Sequence, residues 1–222
     1  MSTKFARQVD LVKQSELEFP IIVIGAGGIG SWATLALAKM GCTNLSVIDF
    51  DKVEDINTPS QFYKESQIGE LKVQALQDNI QDFANLSIIA HQGKWEQALV
   101  NIWPPDPSAL IIISALDSLS GRKKLFKFFE KKGFPKLYID ARMGGELIRI
   151  FNVSPFAVGS IEKYKTKLFS KTSVHKERCT EKAIVYNTFM CGSIVASFVK
   201  KFAKHQTLPF EKVIDIVNLS VI

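Results

Sequence analysis

Cysteine is scarce in this chain: only Cys42, Cys179 and Cys191 occur in 222 residues. An odd, widely spaced set without a CxxC pair excludes a disulfide framework and a tetrahedral thiolate zinc centre. The three histidines are equally scattered. Long apolar runs are missing too. The longest uncharged stretch, residues 183–199, carries Asn187, Thr188, Ser193 and Ser197, so it reads as a helix buried in a protein core and not as a membrane span. No repeat or low-complexity segment occurs. Residues 1–10 are polar and charged where a secretory leader would need an apolar stretch. Reduced thiols and a cytoplasmic location are the expectation.

What is present is a substantial apolar fraction, 46%, with a mild net charge of +6. That suffices for the core of one α/β domain spanning residues 1–222. The excess of positive charge suits a polyanion, an acidic protein surface or nucleic acid. Aromatic–basic interleaving of the kind that stacks bases is lacking, so nucleic acid is not the expected partner.

Short apolar runs alternate with helical periodicity. Strands are expected at 20–24, 44–49, 87–91, 110–114 and 137–140, with helices at 31–40, 72–83 and 121–132. Gly41 supplies the stop of the first helix. This rhythm predicts a Rossmann-like doubly wound α/β fold, its sheet mostly parallel and covered on both faces. Residues 1–19 form an arm and 20–153 the nucleotide-binding core, whose last strand is 146–153. Residues 154–182 read as a charged crossover loop with seven Lys/Arg against three Asp/Glu between 162 and 182. Residues 183–222 follow as a helix and an added strand.

The first strand runs into Gly25-Ala26-Gly27-Gly28-Ile29-Gly30. In this GxGxxG turn Gly25 permits the tight bend, Gly27 lets the backbone approach phosphate, and Gly30 allows helix and sheet to pack closely. The helix that follows offers unpaired N–H donors, beginning near Gly28, to an anion. Asp49 closes the second strand, where an acid can accept hydrogen bonds from ribose hydroxyls. These features predict nucleotide binding without choosing between NAD and ATP, and the default reading of such a fingerprint is a dehydrogenase.

Further elements occur in a set order: Arg7-Gln8, Asp49-Phe50-Asp51 followed by Asn57 and Gln61, Gly69-Glu70-Leu71-Lys72, and Ala115-Leu116-Asp117-Ser118. With the glycine turn they resemble the ThiF/MoeB/HesA-type adenylyltransferases of thiamine and molybdopterin biosynthesis, and the adenylation domain of ubiquitin-activating enzymes. The resemblance is closest over residues 5–153. It implies ATP and Mg²⁺ in place of NAD. The partner it implies is a ubiquitin-like or sulfur-carrier protein with a Gly-Gly C-terminus, whose carboxylate is adenylated. Lys72 would contact phosphate, Asn57 and Gln61 would be polar contacts to it, and Asp117 would hold the metal. Asp51 would be either a second acid near the metal or a turn residue. Arg7 would reach the nucleotide of a neighbouring subunit, which implies a homodimer. Ser60 stands where the family pattern has arginine, and Arg142 is the candidate replacement. Cys179 lies between Arg178 and a following helix, a setting that lowers a thiol pKa, and would accept the acyl group. Cys42 and Cys191 read as buried structural thiols. An NAD-dependent oxidoreductase and a non-catalytic subunit of a split activating enzyme are the rival functions.

Overall fold

The computed structural model describes residues 4–169 and 183–221. Its frame is a single eight-stranded sheet in the order β3-β2-β1-β4-β5-β6-β7-β8. The strands are β1 (Ile21–Ile24), β2 (Leu45–Asp49), β3 (Ile89–Gln92), β4 (Ile111–Ser114), β5 (Leu137–Gly144), β6 (Leu147–Val153), β7 (Glu211–Asp215) and β8 (Ser220–Val221). The first five pair in parallel, and β6 to β8 are added antiparallel at one edge. The expected doubly wound, mostly parallel sheet with added C-terminal strands is thus the observed fold.

Why β1 and β4 lie in the middle follows from their composition. Ile-Ile-Val-Ile and Ile-Ile-Ile-Ser are buried at every position, as parallel strands covered on both faces must be. Alternate residues feed two cores. Ile21, Val23, Val47, Ile113 and Ile139 face one side. There α1 (Gly28–Met40), α2 (Lys72–Ala84) and α6 (Val185–Ala203) pack. Ile22, Ile24, Ile112 and Tyr138 face the other, beneath α3 (Trp95–Ile102), α4 (Leu119–Lys132) and α5 (Ser160–Phe169). Among the described residues no helix is long and apolar enough to cross a membrane.

Two helices depart from the sequence expectation. The stretch expected to be a charged crossover loop contains α5, because Tyr164 and Leu168, four residues apart, are buried beside its lysines. Helix α3 lies where no element was expected. Its Trp95 and Leu99 are buried, also at a spacing of four. The strand expected at 137–140 continues to Gly144, since Ala141, Arg142 and Met143 stay buried against β6.

Order in the sheet decides where a ligand can sit. From β1 the chain winds one way to β2 and β3, and the other way to β4 and β5. Helix α1, after β1, and helix α3, before β4, cover opposite faces of the sheet, so a crevice opens beyond the carboxyl ends of β1, β2 and β4.

Candidate functional site

A cavity of about 390 Å³ fills that crevice. Its wall includes Gly25, Gly27 and Gly28 from the turn after β1, and Asp49 and Asp51 after β2. Asn57 and Gln61 come from the loop that follows, Lys72 from the first turn of α2, and Asp117 from beyond β4. Residues far apart in sequence, chosen for their chemistry, therefore converge on one surface.

The glycine turn owes its shape to its neighbours. Gly25 has φ +96°, and a Cβ there would stand 2.7 Å from the Ala115 carbonyl oxygen. Only glycine lets this turn close over the end of β4. A Cβ at Gly30 would lie 1.8 Å from the Gly25 carbonyl oxygen, so Gly30 is a packing residue and stands off the cavity wall. Gly27 differs from both: a Cβ there would meet nothing within 4 Å. Its backbone borders open space at the N-cap of α1, where the helix dipole and unpaired amides favour an anion. Gly28 faces the cavity and also packs on α6, with a Cβ position 2.8 Å from Thr188 Cγ2.

Asp49 is bound into this turn. Its Oδ2 accepts from the Ala26 N–H at 2.6 Å and its Oδ1 from the Asp51 N–H at 2.7 Å. Each oxygen keeps a further lone pair for a ribose hydroxyl. Asp51 in turn faces Lys72, with Nζ 3.4 Å from Oδ2, and the Lys72 backbone N–H donates to the Asp51 carbonyl at 2.9 Å. Lys72 is 7% exposed. The stretched ion pair keeps its ammonium on the cavity wall without neutralising it tightly. Of the two readings of Asp51, the structure adds a third role, as the partner of Lys72.

Asp117 is exposed at the cavity rim. Helix α4 is capped by its neighbour Ser118, whose Oγ accepts from the Gly121 N–H at 3.1 Å, so capping does not occupy the Asp117 carboxylate. Asn57 spends its Oδ1 on the Glu54 N–H at 3.0 Å. Gln61 has a buried Oε1 that is unpaired among the described residues, which suits a ligand donor. Among the same residues no group of three or more His, Cys, Asp or Glu is gathered to hold a metal.

One expectation about arginine is corrected. Arg142 does not reach the cavity wall. It lies within β5, 5% exposed, with Nε donating to Asp140 Oδ2 at 2.7 Å and its guanidinium over the Phe151 ring. The cation that β5 and α4 do bring to the cavity is Arg122, which nothing in the local sequence singles out. Arg122 is 2% exposed, donates through Nε to Asp140 Oδ1 at 2.7 Å and through Nη2 to the Ala141 carbonyl at 3.1 Å. Burial alone would raise the Asp140 carboxyl. The charges of Arg122 and Arg142, with bonds from Arg122 and Tyr164, outweigh it and hold the group below the usual carboxylate range.

Ser60, where the family pattern has arginine, is buried on the cavity wall. Its carbonyl accepts from Trp32 Nε1 at 3.0 Å and Thr188 Oγ1 at 2.7 Å, so the backbone here staples the 57–61 loop to α1 and α6. Arg7 sits in a short turn, Ala6–Gln8, and is exposed. Gln8 beside it donates to the Met40 carbonyl at 2.7 Å. Arg7 is therefore beside the far end of α1, about 20 Å of helix from the glycine turn, and the structure does not bring it to this chain's own cavity. Cys179 lies outside the described residues. Cys42 and Cys191 are buried and free, and burial pushes both thiols up to about 12, as inert core cysteines.

A doubly wound sheet with an open glycine turn, an acid after β2 and a buried lysine places the chain in the class of Rossmann-like α/β domains. Comparison with known proteins gives the family. The ThiF family matches residues 5–219, and the chain belongs to it. Among individual relatives, tRNA threonylcarbamoyladenosine dehydratase 1 of Saccharomyces cerevisiae is 30% identical over 113 residues, covering 49% of this chain and 26% of that protein. The adenylyltransferase and sulfurtransferase MOCS3 of Anopheles gambiae is 30% identical over 129 residues, covering 54% and 28%. The matched segments thus span under a third of these curated relatives. The crystal structure of E. coli MccB with ATP superposes with a TM-score of 0.74 at 17% identity, over 100% of this chain and 71% of the other. At that identity the likeness establishes the fold.

Proposed function

We propose that this chain binds ATP with Mg²⁺ and adenylates a carboxylate, the C-terminus of a ubiquitin-like or sulfur-carrier protein ending in Gly-Gly. The observation that carries the reading is the shared cavity. One wall holds an open backbone at Gly27, an acid at Asp49, a buried lysine at Lys72 and a rim carboxylate at Asp117. Hydride transfer to a nicotinamide gives no use for the lysine and the rim acid together; phosphate chemistry uses both. Membership of the ThiF family supports it. So do the adenylyltransferase named in the MOCS3 relative and the ATP in the MccB structure.

The donor set fits Mg²⁺. This ion needs no all-protein cage and is commonly held by one or two carboxylates together with substrate phosphates. Asp117 would hold it, and Asp51 lines the same wall. When bound, the ion would neutralise charge on the phosphate oxygens. The protein's own groups do the rest. Gly27 and the amides after it receive phosphate, Asp49 accepts from the ribose, and Lys72 offsets the charge that builds as two anions approach. The attacking carboxylate oxygen bonds to the α-phosphorus while the bond from that phosphorus to the bridging oxygen breaks. Pyrophosphate leaves, and an acyl adenylate remains.

Two further residues complete this reading. Arg7, remote from its own glycine turn, would enter the site of a second copy in a homodimer. Cys179 would take the acyl group as a thioester, releasing AMP. Adenylation is tested by ATP–pyrophosphate exchange with a Gly-Gly-ending carrier protein. Exchange that requires the carrier supports the reading, and a protein that binds ATP yet exchanges nothing with any carboxylate offered would be a binding-only relative. A tRNA-borne substrate is the second reading, favoured by the match to the yeast dehydratase. The same assay with tRNA replacing the carrier separates the two.

A further inference from the structure

Tyr63 belongs to no part of the site described so far, yet it touches the glycine turn. Its ring is buried, 8% exposed, and its hydroxyl donates to the Ala26 carbonyl at 2.6 Å. The same residue, Ala26, gives its N–H to Asp49 Oδ2. Both peptide planes flanking Ala26 are therefore clamped by side chains, one by Asp49 and one by Tyr63. The second plane carries the Gly27 N–H. In a trans peptide the C=O and the following N–H point in opposite directions, so a hydroxyl that fixes the Ala26 carbonyl also fixes the aim of the Gly27 N–H. Gly27 lines the cavity, and its N–H makes no hydrogen bond among the described residues.

We propose that Tyr63 is a positioning residue for nucleotide binding, its hydroxyl holding the Ala26–Gly27 peptide so that the Gly27 N–H faces the phosphates. The inference rests on the nucleotide reading above. The chain of contacts extends further, from Ala26 through Asp49 to Asp51 and from Asp51 to Lys72. One end of this network is Tyr63 and the other is the phosphate-side cation. Tyr63 is itself held in place by its loop. Its neighbour Phe62 donates through its N–H to Ser31 Oγ at 3.1 Å, and the Ser60 carbonyl is stapled by Trp32 and Thr188. The loop that carries Asn57 and Gln61 thereby also sets the shape of the glycine turn.

Tyr63→Phe keeps the ring and removes only the hydroxyl. The loss of one hydrogen bond of ordinary strength predicts a roughly three- to tenfold weaker dissociation constant for Mg·ADP and Mg·ATP by calorimetry. If the hydroxyl served only to satisfy a buried carbonyl, its removal would lower the thermal midpoint of the nucleotide-free protein and leave affinity alone. Phe126→Leu, a buried change in the core on the opposite face of the sheet, is the matched control: it lowers the midpoint with affinity unchanged. Equal affinity of wild type and Tyr63→Phe overturns the proposal while the nucleotide reading stands. A wild-type protein that binds neither nucleotide takes down both. If Tyr63→Phe does not fold, a crystal structure of the wild type with Mg·ADP decides, since the proposal requires the Gly27 N–H within hydrogen-bond distance of a phosphate oxygen. A Gly27 N–H turned elsewhere ends it.

Discussion

At the scale of single residues, the three glycines of the GxGxxG turn do separate jobs, and substitution by alanine pulls them apart. Gly30→Ala forces a Cβ to within 1.8 Å of the Gly25 carbonyl and is expected to cost about 3 kcal/mol or more through overpacking and displaced backbone. Urea denaturation reads that loss. Gly27→Ala places its methyl in open space, so stability should hold to about 0.5 kcal/mol while ATP binding, followed by calorimetry, falls because the methyl occupies the room the phosphate needs. Asp140 makes the opposite kind of case, a buried charge with a structural task. Replacing it with asparagine strands Arg122, which it binds at 2.7 Å, and is expected to cost about 3–5 kcal/mol at pH 7. Its folded pKa lies below the usual carboxylate value. The unfolded chain therefore binds more protons, and the stabilisation is whole above about pH 4 and lost as pH falls through the folded pKa. The stability gap between wild type and Asp140→Asn should narrow along that descent, measured by denaturation at stepped pH. Such residues also mark how far sequence reading reached. Gly25, Gly27 and Asp49 were legible because each sits at a fixed offset from a strand end, whereas Lys72 and Asp117 were singled out only through the family resemblance; all five line the one cavity. Arg122 and Tyr63 were not, since nothing local distinguishes an arginine on a basic helix, or a tyrosine in a polar loop, until the sheet folds beneath them.

Among the elements, α1 and α6 pack against each other behind the site. A Cβ at Gly192 of α6 would lie 2.7 Å from the Ala33 nitrogen and 2.8 Å from Trp32, so this glycine lets the two helices touch backbone to backbone. One turn earlier, Thr188 reaches the Ser60 carbonyl at 2.7 Å and its methyl fills the space beside Gly28. Helix α6 therefore braces both the glycine turn and the 57–61 loop. Gly192→Ala should push the helices apart and cost about 1–3 kcal/mol, read as a lowered midpoint in urea. The apolar, uncharged stretch that became α6 was recognisable from its composition, as were the parallel strands from their unbroken Ile and Val. What escaped were elements whose apolar face is narrow. Helix α5 buries Tyr164 and Leu168 amid lysines, and α3 has only two turns, with Trp95 and Leu99 inward. A window that averages over such segments sees charge or nothing, because the burial that makes them helices comes from the sheet they cover.

For the molecule as a whole, the decisive property is linkage between ligand and fold. The cavity borrows its walls from both halves of the sheet, with β1, β2 and β4 ends, α2 and the loop before α4 all contributing. A nucleotide seated there touches segments that separate on unfolding, so it binds the folded chain and not the unfolded one. At a hundred times its dissociation constant such a ligand adds about 2.7 kcal/mol. For a chain of 222 residues, at about 2–4 °C per kcal/mol, the thermal midpoint should rise by about 5–10 °C. Mg·ATP is expected to give this rise in a thermal melt, and NAD to give none at equal concentration, because the wall presents Lys72 and Asp117 to a metal-bound polyphosphate. Chelating the Mg²⁺ should remove part of the shift, as the Asp117 carboxylate then faces phosphate charge unscreened, and Asp117→Asn should blunt that dependence on the ion. A rise with NAD equal to that with ATP would show that the cavity reads only the shared adenosine and diphosphate, and would remove the physical basis for assigning it to carboxylate activation.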